Sequence, residues 1–270
     1  MRPMTEVTGT PKSTRANFGF GLDQAGSHNA RTMMLDELTS LFQCVSNPNS
    51  EKTDYAHAII DENCLGKRSE KTRKITFRHL ASLYGLDQSL VLFRVLRYFW
   101  ERDEAGRAQL ALLACYARDS ILRATAPFIL DLPVGTTIER EATEEFIESV
   151  MPERFSKATL KSTAQNINGT WTRSGHLQGR TRKQRTLVEA TVGSISYALL
   201  LSYLSGYRGS ALFHTPYIKL LDCSFDKAIE RAEEASRRGW IIFKRIGDVM
   251  EVQFPNLITA EEMEWVREQS

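Results

Sequence analysis

The chain has 270 residues, 42% of them hydrophobic and 25% charged, with 35 basic against 33 acidic side chains. That apolar share excludes wholesale disorder and collagen-like or low-complexity architectures, and the length suits one large domain or two ordinary ones. The net charge of +2 conceals a strong local segregation of charge, the most informative feature of the sequence.

Residues 1–28, rich in Gly, Thr, Ser and Asn, carry almost no apolar periodicity and read as a mobile or extended arm. They lack the uninterrupted apolar core of a signal peptide. From Asn29 the pattern turns helical: Met33, Met34, Leu38, Leu41, Phe42 and Val45 recur at steps of three and four, until Asn47-Pro48-Asn49 stops them. Residues 52–64 read as a helix or loop, and a polar basic run follows at 66–74. Thr76 is expected to cap a short helix closed by Gly85, and Asp87 to cap the next. The apolar positions of that next helix, Leu90 to Trp100, cover most of its circumference, as in a central helix of a bundle. Residues 105–126 continue the pattern, and Thr137 opens an acidic helix that Pro152 ends. Residues 29–151 are therefore expected to form an all-helical bundle.

The second half is patterned differently. Ser156 caps a helix that ends at Gly175. His176-Leu177 and Thr186-Leu187-Val188 then read as strands on either side of a basic turn beginning at Gly179. Residues 191–204 are apolar but shorter than the ~20 residues a bilayer core requires, so a buried helix is expected there. An amphipathic helix over 226–238 ends at Gly239, and WIIFKRI and VMEVQFP flank Gly247-Asp248, a hairpin signal. A last helix spans 260–268. The predicted fold is mainly α: an N-terminal helical bundle, then a winged-helix-like α/β-hairpin half over 152–270 with two helix–hairpin units.

Between positions 156 and 185 lie Lys157, Lys161, Arg173, Arg180, Arg182, Lys183 and Arg185, without one Asp or Glu. Just before them, residues 131–153 hold seven acids against Arg140 alone. Leu160, Ala164, Ile167 and Trp171 mark the buried side of the 156–175 helix. Its other faces present Lys, Thr, Gln and Asn, which contact phosphates and can bond base edges. A helix of this kind with an arginine-rich hairpin after it is the linear pattern of a winged helix-turn-helix, the helix in the major groove and the tip on the backbone or minor groove. The bases are expected to neutralise phosphates, and Gln165 and Asn166 to read bases if any are read. A second cluster, Lys67, Arg68, Lys71, Arg73, Lys74 and Arg78, has only Glu70 against it. If it faces the same way, the two form one electrostatic track; otherwise it is a solvated linker.

Signals for an enzyme are missing. The sequence has no P-loop, and Phe18-Gly19-Phe20-Gly21 lacks the preceding strand and third glycine of a dinucleotide loop. The five histidines never pair at i, i+4, and Cys44, Cys64, Cys115 and Cys223 form no C-x-x-C. That cysteine usage fits a reducing cytosol. The expectation is a soluble, cytoplasmic, non-enzymatic protein with no cofactor, no metal, no membrane contact and no small-molecule substrate.

The stretches LALLACYARDSILRATAPFIL and RFSKATLKSTAQNINGTWTRSGHLQG resemble the BrxA family of BREX phage-defence systems. The resemblance is carried by Arg118-Asp119 at the end of a leucine-rich segment, by Ser156, Thr159, Leu160 and Lys161, and by Gly175 and Leu177. It covers roughly positions 75–255 and leaves out residues 1–28 and the 67–74 run. It implies a small non-enzymatic DNA-binding accessory protein with a helical part similar to the NusB fold, working with other subunits of a defence assembly. The inner-membrane label common in that family is not matched by the hydropathy of this chain. Two other functions remain open from sequence: an RNA-binding or ribonucleoprotein assembly factor, suggested by the NusB-like half, and a protein-binding scaffold using the acidic helix 139–148.

Overall fold

The computed structural model describes residues 12–21 and 26–267. The first elements are α1 (Lys12–Asn17), α2 (Leu35–Cys44), α3 (Lys52–Ile60), α4 (Glu70–Tyr84), α5 (Val91–Arg102), α6 (Arg107–Arg118) and α7 (Ser120–Leu130). Then come β1 (Thr137–Ile138), α8 (Arg140–Val150), α9 (Lys157–Arg173), β2 (Leu177–Gln178) and β3 (Lys183–Arg185). The chain continues with α10 (Val192–Leu204), α11 (Pro216–Lys219), α12 (Phe225–Arg237), β4 (Ile242–Ile246), β5 (Val249–Gln253) and α13 (Ala260–Arg267). The protein is mainly helical, with small antiparallel sheets in its second half.

Several boundaries follow from local chemistry. Ser156 caps α9 by accepting from Thr159 N at 3.3 Å, and Thr191 and Ser194 form a reciprocal capping box on α10. Gly85 closes α4 at φ 92°, a conformation that costs a residue with a Cβ. Elsewhere the elements begin where side chains alone did not announce it. Ser69, not Thr76, caps α4, so the basic run is largely helix rather than a connection. The cap of α5 is Leu90; Asp87 instead makes a turn that accepts Ser89 N. The stretch expected as one helix over 105–126 is two, because Asp119 leaves the helix and caps α7 through Leu122 N at 2.9 Å.

Thr137 does not open the acidic helix. It pairs in β1 with Gln184 of β3, while Ile138 faces Lys183. The three-stranded sheet runs β1–β3–β2, and β3 lies at 183–185, just before the strand expected over 186–188. The second hairpin forms where expected, with Ile246 opposite Val249 around Gly247-Asp248.

The arm expected over 1–28 is in good part built into the molecule. Beyond α1, Phe18 is wholly buried and its carbonyl accepts Leu92 N at 3.1 Å. Gly21 N donates to Ala117 O at 3.2 Å, and the Arg118 and Arg123 guanidiniums donate to the carbonyls of Gly19 and Gly21. Positions 1–11 and 22–25 lie outside the described residues.

One hydrophobic cluster runs through both halves of the chain. Its axis is α10, buried along nearly its whole length and packed against α5, α6, α11 and α12. Tyr197 donates to Leu92 O at 2.9 Å, and Asp103 accepts both Gly193 N and the Thr191 hydroxyl. The core therefore does not break at 151/152. Among the described residues no helix is long and apolar enough to cross a membrane, and the apolar run at 191–204 is this central helix.

Candidate nucleic-acid interface

α9 is held on three sides. Ala164, Ile167 and Trp171 are wholly buried beneath it, with the Trp171 ring edge-on to His176 at 4.9 Å. α8 packs along one flank, where Thr143 Oγ1 donates to Asn168 Oδ1 at 3.1 Å. Residues 27–36 lie along another: His28 Nε2 meets Thr170 Oγ1 at 3.0 Å, and Thr170 Oγ1 accepts Met33 N at 2.9 Å. Gly169 is required by this approach, since a Cβ there would come within 2.9 Å of Thr32 Cγ2.

The remaining surface of α9 is polar and outward. Lys157, Lys161 and Gln165 are exposed, and among the described residues no carboxylate pairs with either lysine. The turn from β2 to β3 follows directly, with Gly179 at φ 102°. Arg180 at its tip is exposed and has no acidic partner among the described residues. Lys183 folds back to donate to Gly179 O at 2.7 Å, and burial pushes its ammonium below the usual lysine value. Between helix and turn lies a depression of about 270 Å³, lined by Arg140, Gln165, Asn168, Arg180, Thr181 and Lys183 among others.

Four residues expected in the interface are otherwise engaged. Arg185 is 2% exposed; its guanidinium grips Asp222 at 2.5 and 2.9 Å and donates to Ile129 O at 3.0 Å. It anchors β3 to the core and offers a phosphate nothing. Asn166 spends its Nδ2 on His28 O at 3.1 Å. Arg173 pairs with Asp36, and Arg182 with Glu139 at 3.1 Å, both at the surface where such pairs exchange readily with solvent. The acidic helix thus partly serves its neighbours: Glu139 holds Arg182, while Glu141 and Glu144 hold Arg140.

The second cluster is likewise divided. Lys67 bonds Glu37 at 3.1 Å, Lys74 bonds Glu70 at 2.5 Å, and half-buried Arg73 reaches Asp61 O at 3.5 Å. Arg68, Lys71 and Arg78 are exposed, without ion pairs among the described residues. Arg140 and Gly169 were not expected at the site. Arg140 sits among glutamates in the sequence, and no spacing rule places it opposite Arg180; Gly169 shows as a helix-interior glycine, a usual sign of close packing.

Two histidine clusters resemble catalytic groupings but are sealed. His28 contacts Asp119 at 3.0 Å and Thr170, all but wholly buried. Ser174 Oγ lies 2.8 Å from His176 Nδ1, and His176 Nε2 lies 2.9 Å from Leu220 O, again beyond solvent. Among the described residues no group of three or more His, Cys, Asp or Glu is placed to hold a metal ion.

No family model matches the chain, and no curated protein matches it.

Proposed function

We propose that the protein binds double-stranded DNA without catalysing a reaction, laying α9 in the major groove and the β2–β3 turn against the backbone. What supports this reading above all is connectivity joined to charge. The order β1–α8–α9–β2–β3, with strands arranged β1–β3–β2, is consistent with the path of a winged helix-turn-helix and supports giving α9 the recognition position. On that helix and turn, Lys157, Lys161 and Arg180 stand exposed with no acid paired to them among the described residues, and exposed Gln165 is the residue best placed to bond a base edge. A helix followed by a hairpin recurs in α12 and β4–β5, there without a third strand. The role in a phage-defence assembly rests on the BrxA resemblance alone.

The test is a titration of random duplex at several salt concentrations. Each phosphate contact contributes about 0.9 to the slope of log affinity against log salt. Reversing Lys157, Lys161 and Arg180 to Glu is expected to weaken binding steeply and flatten that slope by about 2.7. Unaltered affinity and slope would exclude this face. Competition with structured RNA at equal salt separates a DNA-binding from an RNA-binding protein.

A further inference from the structure

We propose that Arg31, Arg78 and His79 form a phosphate-binding site beside α9, which carries the backbone of the bound duplex from α9 onto α4. The inference rests on the DNA-binding reading and adds a contact that neither basic cluster supplied by itself. Residues 27–36 are strapped between the two helices. On the α4 side Ser27 Oγ donates to Ser82 Oγ at 2.9 Å. On the α9 side Asn166 donates to His28 O at 3.1 Å and Ser162 to Asn29 O at 3.4 Å.

Arg78 and His79 stand four and three residues before Ser82, so they share the strap-facing side of α4 one turn earlier. Arg31 leaves the strap exposed, and its one described side-chain bond goes to the adjacent carbonyl of Ala30 at 2.8 Å. Arg78 is exposed without an ion pair among the described residues. His79 is half-buried; burial first, and then the charges of Arg31 and Arg78, disfavour its protonated form. Among the described residues, those two arginines are the charged groups that bear on it. Three basic groups thus lie together, and among the described residues no carboxylate pairs with Arg31 or Arg78; a phosphate oxygen would relieve the repulsion while accepting charge-assisted bonds. From there Lys71 continues along α4, two turns from Arg78.

The full chain is titrated by NMR, following the His79 imidazole with and without a duplex. A phosphate in the site raises the midpoint of His79; an unmoved midpoint in the bound complex overturns the proposal. Arg31→Ala with Arg78→Ala is expected to lower the salt slope by about 1.8, and the double Lys replacement to retain it. If these alanines leave affinity and slope unchanged while Arg180→Glu weakens binding, the site falls and the DNA-binding reading stands. If the native chain retains no duplex, that reading falls instead. The site is then judged by His79 in inorganic phosphate against chloride at equal ionic strength: an upward shift supports it and none refutes it.

Discussion

Arg180 and Arg185 are five positions apart in one basic run, yet they do opposite work. Arg180 stands at the turn in water; Arg185 lies buried against Asp222. Removing one partner of a buried pair leaves an uncompensated charge, at a cost of about 3–5 kcal/mol. Arg185→Ala is therefore expected to destabilise the protein by that order in denaturant unfolding. Arg180→Ala should leave the unfolding midpoint in place and lower the salt slope of duplex binding. Residue type could not tell these two apart. Strand alternation puts Arg185 on the face opposite Gln184, but the carboxylate that holds it arrives 37 positions later in the chain.

α9 shows the element scale at its most legible. A serine cap, apolar residues at steps of three and four, and a closing glycine marked its ends and its buried side, because each of these acts within a turn or two. Ser156→Ala should cost about 1 kcal/mol, seen as a fall of about 2–4 °C in the melting temperature, with the sheet unaffected. The strands were less legible. β1 is two residues long and exists because β3 lies beside it, with Ile138 opposite Lys183, 45 positions later in the chain. A pairing of that separation leaves no local period. The same limit hid α4's true start: Thr76 was expected as its cap, whereas Ser69 caps it and the longer helix packs on α3 and α6.

Over the whole molecule, the turn, the sheet and the core are tied by one buried cluster of Arg185, Asp222 and His176. Burial holds the His176 imidazole down to about 4, against an ordinary value of 6.5, with Arg185 adding to the effect and Asp222 opposing it. The native protein keeps it neutral while the unfolded chain takes up a proton, so stability falls as pH drops from about 6.5 to about 4 and then levels. The loss is about 3 kcal/mol. Asp119 adds a second step. Burial alone would raise its pKa, but the His28 charge and the hydrogen bonds from His28 and Leu122 hold it near 2, so further stability goes between 3.8 and about 2. Denaturant titrations at pH 7, 5 and 3 should show successive falls, and His176→Gln should remove most of the first one.

Composition, local period and capping chemistry determined from sequence alone that the chain is mainly helical, that a hairpin turns at Gly247-Asp248, and that one helix carries a polar, base-rich outer side. Tertiary structure alone decided that Phe18 and Phe20 belong to the core, that α10 joins the two halves, and which cations face water. Helices and tight turns are set by neighbours within about four residues, whereas burial and ion pairing depend on groups that only the folded chain brings together.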